Sequence, residues 1–204
     1  MPRPRSLTTD DIGNAALAVI DREGLDGLTM RAIAKELRIA TMGLYRYVAD
    51  RDRLEVLVVD RVLGAMDTAP LEGPDWRARA TALLTRMRAA VADHPATVPL
   101  ILRHRQSSAA SLRWMEAMLT VLTDAGFTGR GRVIAQRTVV GFLLGFLQNE
   151  HYASIAGPGT ATIAALPIED FPLLVQTASQ ARTMSIDDEF RGGVEIVLRG
   201  LSPR

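Results

Sequence analysis

Cysteine is missing from all 204 residues. That absence excludes a disulfide frame, a thiolate nucleophile and any cysteine metal site. Lysine is nearly missing too: of 24 basic residues, all but Lys35 are arginine. Arginine in this proportion, with abundant alanine, is what a GC-rich coding sequence produces, so the bias alone names no partner. Histidine occurs three times, at His94, His104 and His151. Glu150 and His151 are neighbours in sequence and so do not share a helix face, and His94-Pro95 reads as a helix end. There is no Gly-rich phosphate loop, nucleophile elbow or metal-ligand spacing. No catalysis, cofactor or metal site is expected. No uncharged apolar run reaches the roughly 18 residues of a membrane span. The N-terminus, MPRPRSLTTDD, lacks the apolar core of a signal peptide, and a soluble cytoplasmic protein is expected.

What is present is apolar and helical. The chain is 48% hydrophobic with a net charge of +1, enough for one or two packed domains. Through Arg53 it carries nine basic and eight acidic residues, so any nucleic-acid footprint there must come from placement rather than total charge. Thr8 or Thr9 caps a first helix, with Asp10 and Asp11 at the positive end of its dipole. Its stripe is Ile12, Ala16, Val19 and Ile20, and Gly24 stops it. Thr29 caps a second helix that buries Ile33 and Leu37. A third runs from about Ala40 to Tyr47. Asp50 caps a fourth, with Leu54, Leu57, Val58, Val62 and Met66 on its stripe.

Turn residues at 69–75 divide the chain. Residues 1–53 form a head, helix 4 (about 50–68) connects, and 69–204 form a body. The body reads as helices near 75–93, 97–104, 107–125, 130–156, 170–182 and 187–201. Stops fall at His94-Pro95, Gly126, Gly157-Pro158-Gly159 and Pro167. No segment alternates like a strand. An all-α fold of nine or ten helices is predicted, with an N-terminal three-helix head.

Helices 2 and 3 are separated by three or four residues, the spacing of a helix-turn-helix. Helix 3 then lies in the DNA major groove, with Ile33, Leu37, Leu44 and Val48 inward and Thr41, Met42, Gly43, Tyr45, Arg46 and Tyr47 outward. The tyrosine hydroxyls suit phosphates, while Arg46 and Thr41 suit base edges and Met42 a thymine methyl. Thr29, Met30 and Arg31 at the start of helix 2, Arg51, and Arg3 and Arg5 in the tail complete the DNA-binding set. The alternative is an ordinary solvated helix end with its tyrosines packed on helix 1.

The series Leu28-Thr29-Met30-Arg31, Ile33-Ala34, Leu37 and Ile39, then Leu44-Tyr45, Tyr47-Val48, Arg51-Asp52 and Leu54, resembles the DNA-binding head of the tetracycline-repressor family. A weaker similarity to the branch of the tetracycline repressors themselves runs through Pro70-Leu71-Glu72-Gly73, Trp76, Ala125-Gly126-Phe127, Phe171-Pro172-Leu173-Leu174, Phe190, Gly193, Glu195 and Gly200-Leu201. Two positions depart from the family. Arg38 stands where glycine is usual, and Gly43 where a hydroxyl residue is common.

The resemblance implies a homodimeric repressor that binds double-stranded DNA at an operator and leaves it when a small-molecule effector binds. The alternative is a helical binding module that has lost its operator. For the dimer seam, Val139, Leu143 and Leu147 on the long apolar segment and Phe190, Val194, Val197, Leu198 and Leu201 on the last helix are the candidates. Burial within one chain is the other reading. For the effector pocket the candidates are Met87, Leu102, His104, Trp114, Met118, Phe142, Phe146 and Gln148, any of which could instead be plain core. Tetracycline-binding members hold a metal through histidine. Pro99 to Arg105 places apolar residues where that ligand falls, so a magnesium–tetracycline complex is not expected here.

Overall fold

Side-chain caps set the first helices. The computed structural model describes residues 7–69, 72–73 and 75–203, so Arg3, Arg5, Pro70 and Leu71 lie outside the described residues. Helix α1 (Thr9–Glu23) opens on a reciprocal cap. The Thr8 hydroxyl accepts from the Asp11 N–H at 3.1 Å, and the Thr8 N–H donates to the Asp11 carboxylate at 2.9 Å. Gly24, at φ 73°, ends it by donating to the Ile20 carbonyl. Thr29 caps α2 (Met30–Glu36) and Asp50 caps α4 (Arg51–Gly64), as the sequence predicts. Ile12, Ala16, Val19 and Ile20 are buried. Helix α4 packs against both α1 and, on another side, α6 (Val98–His104). That double contact buries Leu54 to Val59 without a break.

Helix α3 differs from expectation. It is regular only over Thr41–Leu44 and has no side-chain cap. Gly43 weakens its interior, and beyond Leu44 the chain continues as a turn in which the Tyr47 and Val48 N–H groups both donate to the Leu44 carbonyl.

The turn between α2 and α3 keeps the geometry glycine would give it. Arg38 has φ 55° and is the sole non-glycine residue with positive φ among the described residues. Its N–H donates to the Lys35 carbonyl and that of Ile39 to the Ala34 carbonyl, the paired bonds of a left-handed helix end. Holding arginine there costs about 1 kcal/mol relative to glycine.

The remaining helices are α5 (Trp76–Ala92), α7 (Ala109–Asp124), α8 (Gly129–Tyr152), α9 (Pro158–Ala164), α10 (Pro172–Ala181) and α11 (Ile186–Gly200). Eleven α-helices thus occur among the described residues, against nine or ten predicted. The extra one is α9. Gly157-Pro158-Gly159, read as a stop, begins a helix, because Pro158 at its first position has a preset φ and lacks only an N–H that would be unpaired there. The chain forms two compact units, residues 1–71 with 82–118, and 72–81 with 119–204. The first therefore joins the three-helix head to α4, α6 and parts of α5 and α7.

In the second unit α8 packs on α11. Ala135, Val139, Leu143, Phe146 and Leu147 face Phe190, Val194 and Leu198. Phe190 stands 4.9 Å from Phe146 and 6.2 Å from Phe142 between ring centroids. Gly193 permits this approach, since a Cβ there would stand 2.6 Å from the Phe142 ring. Arg77 donates to the carbonyls of Leu198 and Leu201 at the end of α11. Gly193→Ala should therefore lower stability by about 1–3 kcal/mol, read from the urea midpoint. An unchanged midpoint would mean the α8–α11 contact is loose.

Candidate nucleic-acid interface

Helices α2 and α3 sort their side chains into two sets. Ile33, Leu44 and Val48 are fully buried, and Leu37 is half-buried. Met42, Tyr45 and Tyr47 are 76, 45 and 42% exposed. Arg46 is exposed between the tyrosines, and Thr41 and Gly43 are half-buried beside them. Tyrosines packed away on α1 would not stand this open. A Cβ on Gly43 would meet no atom within 4 Å, so glycine here clears space outside the protein rather than relieving a clash within it. Thr29 and Arg31 are exposed and Met30 half-buried at the start of α2. These solvent-open side chains offer donors, cations and apolar contacts, the chemistry of phosphate and base-edge recognition.

Arg51 is the member of the predicted set with a second task. Its Nε donates at 2.9 Å to Glu55, one turn along α4. Glu55 is only 1% exposed. On its other oxygen it accepts from Arg103 Nη1 at 2.9 Å and lies 2.7 Å from His104 Nε2, both at the end of α6. Asp60, further along α4, accepts through one oxygen from the Ser108 hydroxyl at 2.6 Å and the Ala110 N–H at 3.0 Å. A carboxylate of α4 thus helps cap α7. Two carboxylates pin α4 to the corner between α6 and α7.

Burial pushes the Glu55 carboxyl up. Hydrogen bonds from His104 and Arg51, with the charge and hydrogen bond of Arg103, outweigh it and hold the group below its usual value. Asp52, Glu55 and His104 bring ligand atoms within 4.8 Å of one another, a spacing a metal could use. Two guanidiniums already neutralise Glu55, and a divalent cation would have to displace both against their charge.

His104 was expected in the effector pocket, but the structure places it on Glu55, because a buried carboxylate needs partners more than a pocket wall does. The other candidates separate. Met87, Trp114 and Met118 are buried in the first unit, with Leu102 half-buried there. The Trp114 indole N–H donates to the Leu83 carbonyl at 2.9 Å. Phe146 is buried and Phe142 half-buried in the α8–α11 seam, and Gln148 is exposed. A cavity of about 630 Å³ in the first unit is lined instead by residues including Asn14, Leu17, Asp21, Met66 and His94.

The dimer candidates differ in how far a single chain covers them. Val139, Leu143, Leu147, Phe190, Val194 and Leu198 are at most 3% exposed within a single chain. Val197 and Leu201 are half-buried. The helical repeat of α8 turns its members of this set toward α11, while Val197 and Leu201 stay partly open. The outward face is Ile134, Thr138, Gly141 and Gly145 on α8, and Ile196, which is 64% exposed, on α11.

Sequence reasoning passed over three polar groups. Glu55 had a signal: one acid inside the apolar run Leu54–Val59. Asp60 and Gln136 had none. The Gln136 side-chain amide is buried with neither its nitrogen nor its oxygen paired.

An exposed Tyr-Arg-Tyr segment, carried by a helix-turn-helix whose core is fully packed, defines a DNA-binding transcriptional regulator. Residues 8–54 match the profile described as bacterial regulatory proteins, tetR family, and residues 69–204 that of the tetracyclin repressor-like C-terminal domain. The chain belongs to the tetR family. It is 30% identical to the HTH-type transcriptional repressor DrrR1 of Streptomyces coeruleorubidus, over 98% of this chain and 78% of that protein. It is also 30% identical to the class D tetracycline repressor protein of Escherichia coli, over 95% and 88%. Among solved structures, ActR of Streptomyces coelicolor in complex with actinorhodin matches with a TM-score of 0.83 at 26% identity, covering 97% of this chain and 96% of that one.

The depressed Glu55 fixes an acid dependence. Its contribution is complete above the ordinary carboxylate range, about pH 4.3, and is lost as pH falls through its lower folded-state value. Glu55→Gln should cost about 2 kcal/mol at pH 7, and its difference from wild type should shrink between roughly pH 5 and 3. A pH-independent difference in urea unfolding would contradict the ion cluster.

Proposed function

We propose that this chain is a homodimeric repressor that leaves a two-fold symmetric DNA operator when a small molecule binds its body. The exposed face of Met42, Tyr45, Arg46 and Tyr47 carries the DNA reading. Residues 1–53 act as the head and 69–204 as the body, α4 connects them, and the protein works in the cytoplasm. Two copies place their α3 segments in successive major grooves, about 34 Å apart. The dimer forms through the outward faces of α8 and α11, around Ile134, Gly141, Gly145 and Ile196. The effector is a small organic molecule, and the unpaired Gln136 amide supplies its polar contact. The ligand named for ActR is not carried over. A magnesium chelate fits poorly, because His104, the single histidine of α6, is already engaged by Glu55.

An effector can shift the equilibrium only by its difference in affinity for the two states. Because α4 is fixed to the α6–α7 corner, a displacement of that corner changes the setting of the head. Selection on random duplexes should return a two-fold symmetric consensus. Arg46→Ala should then weaken binding by about 1–3 kcal/mol and relax one base position, while Tyr45→Ala weakens all sequences alike. Absence of any consensus, with both variants silent in gel shifts, would overturn the reading.

A further inference from the structure

The groove along α2 holds cations that nothing inside the protein uses. Arg22, Glu23, Thr29, Arg31, Lys35, Glu36 and Arg38 line it, with a volume of about 440 Å³. Its two carboxylates are both taken by one residue, since Arg22 lies 3.0 Å from Glu23 and 3.1 Å from Glu36. Arg31, Lys35 and Arg38 are exposed and make no ion pair or side-chain hydrogen bond among the described residues. Arg31 and Lys35 stand at i and i+4 on one face of α2, and Arg38 lines the same groove from the turn just past the end of that helix. The seven residues of α2 rise about 10 Å, the length of roughly three base steps at about 3.4 Å of duplex axis each.

Arg38 supplies the third cation from a backbone that disfavours it. Its left-handed φ is the conformation glycine adopts freely. A strained residue persists where its neighbours force it and commonly marks a functional position. Here the motif forces the conformation, while the side chain forms no internal contact that would explain choosing arginine.

We propose that Arg38, with Arg31 and Lys35, grips the sugar-phosphate backbone beside the groove that α3 enters. Arg38 is a positioning residue: it adds a phosphate contact from the turn before α3, and it reads no base. This rests on the DNA-binding reading above.

The test uses the full-length protein and the duplex it selects from a random library, followed by fluorescence anisotropy between 50 and 200 mM salt, with Arg38→Gly, Arg38→Asn and Arg38→Lys. Arg38→Gly should raise the urea midpoint yet weaken binding by about tenfold at 100 mM salt. The slope of log affinity against log salt should fall by about one per bound chain. Arg38→Asn, which tolerates the left-handed turn, should bind as weakly, while Arg38→Lys should keep the wild-type slope. The selected consensus should not change. Glycine and asparagine variants that bind with wild-type slope and affinity would overturn the inference and leave the repressor reading intact. A wild-type protein that selects no duplex would instead remove the reading on which it rests.

Discussion

Glu55 is an ionised carboxylate placed inside a helix face that is otherwise apolar. Removing such a group from water costs several kcal/mol unless charge and hydrogen bonds replace the lost hydration. The fold meets that demand from two directions. Arg51 reaches it from the same helix, and Arg103 and His104 reach it from the end of α6, where cations also suit the helix dipole. Apolar packing is non-directional and would tolerate some sliding of α4. A carboxylate with three partners tolerates little. Asp60 adds a second fixed point on α7, and two points on one rod define its rotation as well as its position.

Charge is organised by location throughout the first unit. Arg22 holds Glu23 and Glu36, and Arg51 and Arg103 hold Glu55. Cations on α2 and at Arg46 remain free. A chain of net charge +1 can therefore present a locally electropositive face without being basic in sum, because the placement of the cations rather than their total sets the local field.

The head was legible in the sequence because its signals are local. Caps at Thr8, Thr29 and Asp50 and the left-handed stop at Gly24 act over three or four residues. The length of α3 was not, since a capless segment containing glycine takes its shape from Leu44 and Val48 packing beneath it. What covers α8 was not legible for a related reason. Periodicity finds an apolar stripe but not what covers it, and Phe190, on α11, reaches that stripe from more than forty residues away. Two of the three partners of Glu55, Arg103 and His104, likewise lie about fifty positions distant, beyond any pattern that spacing can reveal. Arg38 shows the reverse case: the sequence flagged the departure, and only the backbone geometry showed that the turn had not changed to suit it.

Four helical residues without a cap cannot nucleate a helix on their own. Segment 41–47 is thus held in place by its surroundings, to which it is anchored through the buried Leu44. Met42, at 76% exposure, and Arg46 stand open to solvent. They can be exchanged for others with small effect on folding, so the part of this protein that distinguishes one DNA sequence from another is also the part most free to diverge. A scaffold of this kind can acquire new targets by a few substitutions while α1, α2 and α4 stay as they are.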